Sequence, residues 1–113
     1  MRHQILLVMF LVFGLIGTIR TYDYGDGMSF VHVNVNNDGA DDLDDLSVRV
    51  LIYDLGVIFQ TNSFDLNDGD VDGKFLFLNT ADVQPGTYLA RITASNDDVR
   101  DVRHRYITIA EIR

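Results

Sequence analysis

From Pro85 to Ile112 the chain reads PGTYLARITASNDDVRDVRHRYITIAEI, two β-favouring runs joined by one short polar turn. Tyr88, Ala90, Ile92 and Ala94 fall on one face of the first run, and Arg91 and Thr93 fall on the other. That is the period-two alternation of a strand with one face buried. Ser95, Asn96, Asp97 and Asp98 supply turn chemistry, because their side chains bond nearby backbone and tolerate turn dihedrals. Tyr106, Ile107, Thr108 and Ile109 then resume the strand. A two-stranded ribbon is marginal alone in water, so this hairpin demands a second sheet over its apolar face. The preceding chain must supply it.

The same alternation runs through that preceding chain. In Met28 to Asn36, Val31, Val33 and Val35 share one face, and Phe30, His32 and Asn34 the other. Asn37, Asp38 and Gly39 end this strand, and the acidic stretch 40–45 leads to a second one at Leu46 to Tyr53. There Val48, Val50 and Ile52 oppose Arg49, Leu51 and Tyr53, the pattern of a central strand partly covered on both faces. Val57 to Gln60 is a short strand. Lys74 to Asn79 (KFLFLN) is another, and its two faces carry Phe75 and Phe77 or Leu76 and Leu78, so packing alone decides which turns inward. Pro85 and Gly86 form the turn into the final hairpin. No segment after residue 20 places apolar residues three and four apart. Six to seven short strands with turn signals between them predict an all-β fold, an antiparallel Greek-key sandwich of the immunoglobulin-like kind.

At the amino terminus Arg2 and His3 precede ILLVMFLVFGLI, residues 5–16. The run has the length of a signal peptide's apolar segment and is shorter than the roughly 20 residues that span a bilayer squarely. Residues 1–17 are therefore expected to be a hydrophobic helix serving as a signal peptide or an uncleaved membrane anchor. A cut after Gly17 would put Leu15 where a small residue is preferred, which keeps the anchor open. Residues 18–27 read as a linker or short edge strand, and 28–113 as the sandwich. The expected location is outside the cell or at its surface.

With 113 residues the chain makes one domain. A formal charge of −8 argues against nucleic acid as a partner, since phosphate binding needs clustered Lys and Arg and the only lysine is Lys74. There is no cysteine, which removes both disulfides and thiolate metal sites.

The run VHVNVNNDGADDLDDLSVRVLIYDLG, the FDLNDGD segment, an apolar strand and then PGTYLARITASND together resemble the CARDB-type and related immunoglobulin-like modules of bacterial and archaeal surface proteins. The likeness covers about Phe30 to Ile109. It implies a β-sandwich serving structural or adhesive ends, and no activity follows from it, because such modules share architecture while differing in role.

Two features invite a chemical reading. Asp68, Asp70, Asp72 and Gly73 form D-x-D-x-D-G, the opening of a calcium loop, with Phe75 at the eighth place. The twelfth place holds Asn79 in place of a bidentate glutamate, and no helix flanks the loop, so a solvated turn between strands is the preferred account and calcium the alternative. Asp38, Asp41, Asp42, Asp44 and Asp45 form a second acidic cluster, which reads as a soluble loop. His32 and His104 lack the local spacing of metal ligands. No serine sits in a nucleophile elbow, and no glycine-rich phosphate loop or catalytic carboxylate pair stands out, so no enzyme is expected and no cofactor required. Arg91, Arg100, Arg103 and Arg105 gather positive charge in the final hairpin, where cross-strand pairing with Asp97, Asp98 and Asp101 is the expected arrangement.

The function expected is a non-catalytic, secreted or membrane-tethered module that contacts a protein, a cell-envelope component or another copy of itself. A pilin-like filament subunit and a calcium-stabilised binding domain are the alternatives.

Overall fold

The computed structural model describes residues 14–25, 27–39 and 41–109. They form eight strands: β1 (Ile16–Gly25), β2 (Met28–Asn36), β3 (Leu43–Ile52), β4 (Val57–Gln60), β5 (Phe64–Leu66), β6 (Val71–Asn79), β7 (Gly86–Ser95) and β8 (Arg100–Ile109). A single 3-10 turn, Tyr53–Leu55, joins β3 to β4. One sheet has the order β1-β2-β6. The other has the order β4-β3-β7-β8, with β5 paired to the start of β3. Every pairing is antiparallel. Among the described residues no helix is long and apolar enough to cross a membrane, and the helix expected over the first 17 residues lies, for 1–13, outside them.

The two sheets share one core. Val31, Val33, Val35, Leu76 and Leu78 come from the three-stranded sheet, and Leu46, Val48, Val50, Ile52, Ala90, Ile92, Ala94, Ile107 and Ile109 from the other. These are the alternating positions of each strand, so period two in the sequence has become one buried face per sheet. The register of β2 on β6 decides the ambiguous KFLFLN run. Leu76 lies opposite Val31 and Leu78 opposite Ser29, which turns both leucines inward and leaves Phe75 and Phe77 outside.

The strand count is eight, two of which had been hidden by bulges or brevity. Of residues 18–27, read as a linker or short edge strand, 18–25 form an edge strand. They belong to β1, a ten-residue strand that starts at Ile16, inside the segment read as a leader. Leu15 and Ile16 are buried in the core. The reason the alternation was invisible is a bulge: Ile16 pairs with Val35 and Ile19 with Val33, so three steps on β1 match two on β2. The extra residue puts Ile16 and Ile19 on the same inner face although they stand three apart. A second bulge lies between Leu43 and Leu46 of β3, and there Asp45 adopts φ 57°, the left-handed conformation that aspartate tolerates better than most residues. Its amide donates to the Asp65 carboxylate at 3.0 Å.

The start of β1 is also held from the opposite sheet. The Ile16 amide donates to Asp101 Oδ2 at 2.8 Å, and Arg103 Nη2 donates to the Ile16 carbonyl at 3.0 Å. Arg103 and Asp101 approach each other at 3.5 Å. Two side chains of β8 thus give Ile16 the donor and acceptor that a neighbouring strand would have given, closing one side of the sandwich. Arg103 and Asp101 pair along one strand here, where cross-strand pairing had been expected.

Two changes measure this closure. Asp101→Ala leaves the Ile16 amide without its acceptor and Arg103 with the Ile16 carbonyl but not its carboxylate, and should cost about 2 kcal/mol in urea unfolding, the loss typical of a charged hydrogen bond. A chain starting at Thr18 loses two core side chains besides, and should be less stable than one starting at Gly14 by about 3 kcal/mol or more.

Candidate functional site

On the outer side of the three-stranded sheet the cross-strand rows are Tyr22, Phe30 and Phe77, then Arg20, His32 and Phe75. Antiparallel neighbours directly opposite put their side chains on the same face within contact distance, and here the result is an aromatic cluster. Phe30 and Phe77 have ring centroids 5.2 Å apart. Phe30 meets Phe75 edge-on at 6.4 Å, and the His32 ring lies 4.4 Å from that of Phe75. His32 also leans over Gly73, where a Cβ would stand 2.6 Å from its Nε2; the missing side chain is what lets the imidazole lie flat on the sheet. The cluster faces water, with Phe75 63% and Phe77 48% exposed. Of the side chains described on this face none is a carboxylate, although the chain has 17 acidic residues.

Many of those acids collect elsewhere. The turns that follow β2, precede β6 and join β7 to β8 meet at one end of the sandwich. They are tied by the Asn37 amide on the Asp70 carbonyl at 2.9 Å, the Asp68 amide on Asp42 Oδ1 at 2.9 Å and Asn96 Nδ2 on the Asp44 carbonyl at 2.8 Å. Asp42, Asp44, Asp45, Asp97 and Asp98 line a shallow depression of about 210 Å³ there.

The three aspartates of the calcium-loop motif are not gathered around a point. Asp68 and Asp70 sit in the turn before β6, and the glycine that reverses the chain is Gly69, at φ 83°. Asp72 and Gly73 belong to β6 itself, opposite Val35 and Asn34, and the Asp72 carboxylate is taken by Lys74 at 3.0 Å. Lys74 Nζ in turn lies 4.1 Å from the centre of the Phe64 ring. A strand sends Asp72 away from a turn that a loop would have wrapped around the ion. Among the described residues no group of three or more acidic or histidine side chains is arranged to hold a metal.

His32 and His104 lie in different sheets. His104 Nε2 is 3.2 Å from the Tyr53 hydroxyl, and the two rings stack. At the end opposite the acidic turns, a cavity of about 310 Å³ opens between the sheets, lined by Ile52, Phe59, Leu78 and Tyr88 among others, with Asp82 the one carboxylate of its wall.

No family model and no curated protein matches the sequence. Among solved structures the chain is similar in fold to part of a β-glucuronidase from glycoside hydrolase family 2, with a TM-score of 0.54 and 12% identity. The match covers 81% of this chain and 11% of that one, so the chain spans about a ninth of the enzyme. The likeness is one of fold.

The aromatic cluster was missed because alternation marks two faces without saying which is buried. The signal present in the sequence was Phe30 and His32 beside the valines of β2, since aromatic residues on the face opposite a valine stripe have no core left to fill.

Two measurements check this site. Leu78→Ala should cost about 2–5 kcal/mol as a buried truncation, and Phe77→Ala less than about 1 kcal/mol. Calcium at 100 times the dissociation constant of a real site would add about 2.7 kcal/mol and raise the melting temperature by several degrees. The melting temperature should be the same with calcium and with chelator.

Proposed function

We propose that the chain is a non-catalytic, immunoglobulin-like interaction module of the cell surface, with the outer face of β1, β2 and β6 as its working surface. The observation that carries the reading is the exposed cluster of Phe30, His32, Phe75 and Phe77, aromatic and, among the described side chains, free of carboxylates in an acidic chain. Aromatic enrichment with depletion of charge is the compositional mark of the centre of a protein interface, and a contiguous exposed apolar patch marks a contact site more often than chance.

Two features support the immunoglobulin-like description. The strand order β1-β2-β6 facing β4-β3-β7-β8 corresponds to strands A, B and E packed on C, F and G, with β4 added beside C as in variable-type domains. Tyr88, near the start of β7, donates its hydroxyl to the Gln84 carbonyl, the corner by which such sandwiches fix the connection entering strand F. Ala90 stands two residues later, where antibody domains carry their second cysteine. With no cysteine available, the core is held by packing.

A non-catalytic role fits the distribution of acids. Glycoside hydrolysis places two carboxyl groups about 5–10 Å apart across a cleft, whereas the cavity between the sheets has a single carboxylate in its wall. The aspartates at the other end are exposed residues of turns and of the start of β3.

The test is photo-cross-linking in producing cells. A benzoylphenylalanine in place of Phe75 should form adducts with an envelope protein or with the chain itself, and the same probe in place of Tyr106, exposed on the other sheet, should form none. Absence of adducts at position 75, or turnover of a chromogenic glucuronide by the purified chain, overturns the reading.

A further inference from the structure

A β-sandwich has open edges, and natural proteins protect them by brevity, bulges, inward charges or cover. Three edges here are protected. β1 has two register shifts along its pairing with β2, and its start is clamped by Asp101 and Arg103. β4 has only four residues. β8 is an arginine-rich strand whose Asp101, Arg103 and Arg105 lie opposite Ala94, Ile92 and Ala90, the core face of β7, and charges on the inward face of an edge strand disfavour a new neighbour.

β6 carries inward charges only in its first half, Asp72 and Lys74 opposite Val35 and Val33 of β2, and its second half has none of these devices. It runs for nine residues in unbroken register on β2, from Met28 opposite Asn79 to Asn36 opposite Val71. Among the described residues it pairs with no other strand; the short β4 approaches it without pairing. From Phe75 to Asn79 it carries no charge. Its two charged residues, Asp72 and Lys74, neutralise each other.

We infer that β6 is the self-association edge of this protein, pairing antiparallel with β6 of a second copy to join two three-stranded sheets into one of six. The inference rests on the reading of the aromatic face as the working surface and names its partner. Charge fixes the direction. The acidic turns stand at the end where β6 begins, so parallel copies would bring both sets together, whereas antiparallel copies send them to opposite ends. The pairing is isologous, as a two-fold axis requires. A register centred on Phe75 gives all nine residues a partner, sets Lys74 opposite Leu76 of the copy and not opposite its like charge, and puts Phe77 opposite Gly73, beside the His32 ring that already lies over that glycine. The two aromatic clusters then form one band across the joined sheet.

The experiment is sedimentation equilibrium of the full chain from about 10 μM to about 1 mM, the range in which weak association is read, with amide hydrogen exchange at both ends. The average mass should rise from one chain toward two, and amides of β6 should gain protection at the high concentration while those of β4 do not. Phe75→Lys with Phe77→Lys should weaken association more than about tenfold at an unchanged melting temperature, and Tyr106→Lys should leave it alone. Three outcomes overturn the inference: a wild-type chain that stays monomeric throughout, association without protection of β6, or a double variant that associates as the wild type does. Envelope-protein adducts at position 75 from a chain that stays monomeric would keep the interaction module and remove the second copy as its partner.

Discussion

Two sheets can form one core only if every strand keeps its apolar positions in phase with its neighbours, because a one-residue slip exchanges the faces of a whole strand. That condition fixes more than the core. With Leu76 opposite Val31 and Leu78 opposite Ser29, Phe75 and Phe77 have no choice but the solvent side. Any residue that favours a strand would satisfy the fold at those two positions, and threonine would do so without exposing an apolar ring. Packing therefore accounts for the position of the aromatic cluster and not for its composition.

The two flanks of the sandwich are unequal for a related reason. On one flank the bulge at Gly17 and Thr18 swings Ile16 inward, and Asp101 and Arg103 reach across from β8 to take both its backbone groups. Those charged groups sit at the seam between sheets, with only 12% of the Asp101 side chain exposed, and are affordable there because each has hydrogen-bond partners. On the other flank β4 ends after four residues, and among the described residues nothing equivalent spans the gap to β6. The fold is thus closed on one side by side chains and left open on the other, and the cavity lined by Phe59, Leu78 and Tyr88 lies between the sheets toward that open side.

The parts of this architecture legible from residues were those where the alternation is unbroken. β2, the body of β3, β7 and β8 declare themselves through Val31 to Val35, Val48 to Ile52 and Tyr88 to Ala94. What escaped was the three-residue β5 and each place where a bulge adds a residue. Ile16 and Ile19, or Leu43 and Leu46, stand three apart and share a face, a spacing with no period-two signature. The apolar run before Ile16 hid the start of β1 in another way, since an unbroken stretch of large apolar residues has no internal mark of where one role ends and the next begins. At Asp72 the motif admits two geometries for a physical reason: three aspartates at alternate positions project to one point around a tight turn and to one side of an extended strand, and here Gly69 turns the chain ahead of Gly73, leaving Asp72 in β6.

The acidic residues complete the picture of why one surface is left neutral. Several of them have structural work at the turns: Asp65 and Asp42 accept the amides of Asp45 and Asp68, and Asp45 supplies the left-handed residue of a bulge. Satisfying backbone donors where strands end is what short carboxylates do well, and it gathers them at one end of the molecule. Net charge keeps such a chain soluble and discourages random encounters, yet it does so from the end loops. A surface remote from those loops feels less of that repulsion, since screening at physiological salt reduces it over about 8 Å. The aromatic face and the uncharged half of β6 lie in that remoter region, so the same arrangement that holds the turns together leaves a neutral flank on which specific contact is not opposed by the charge of the whole.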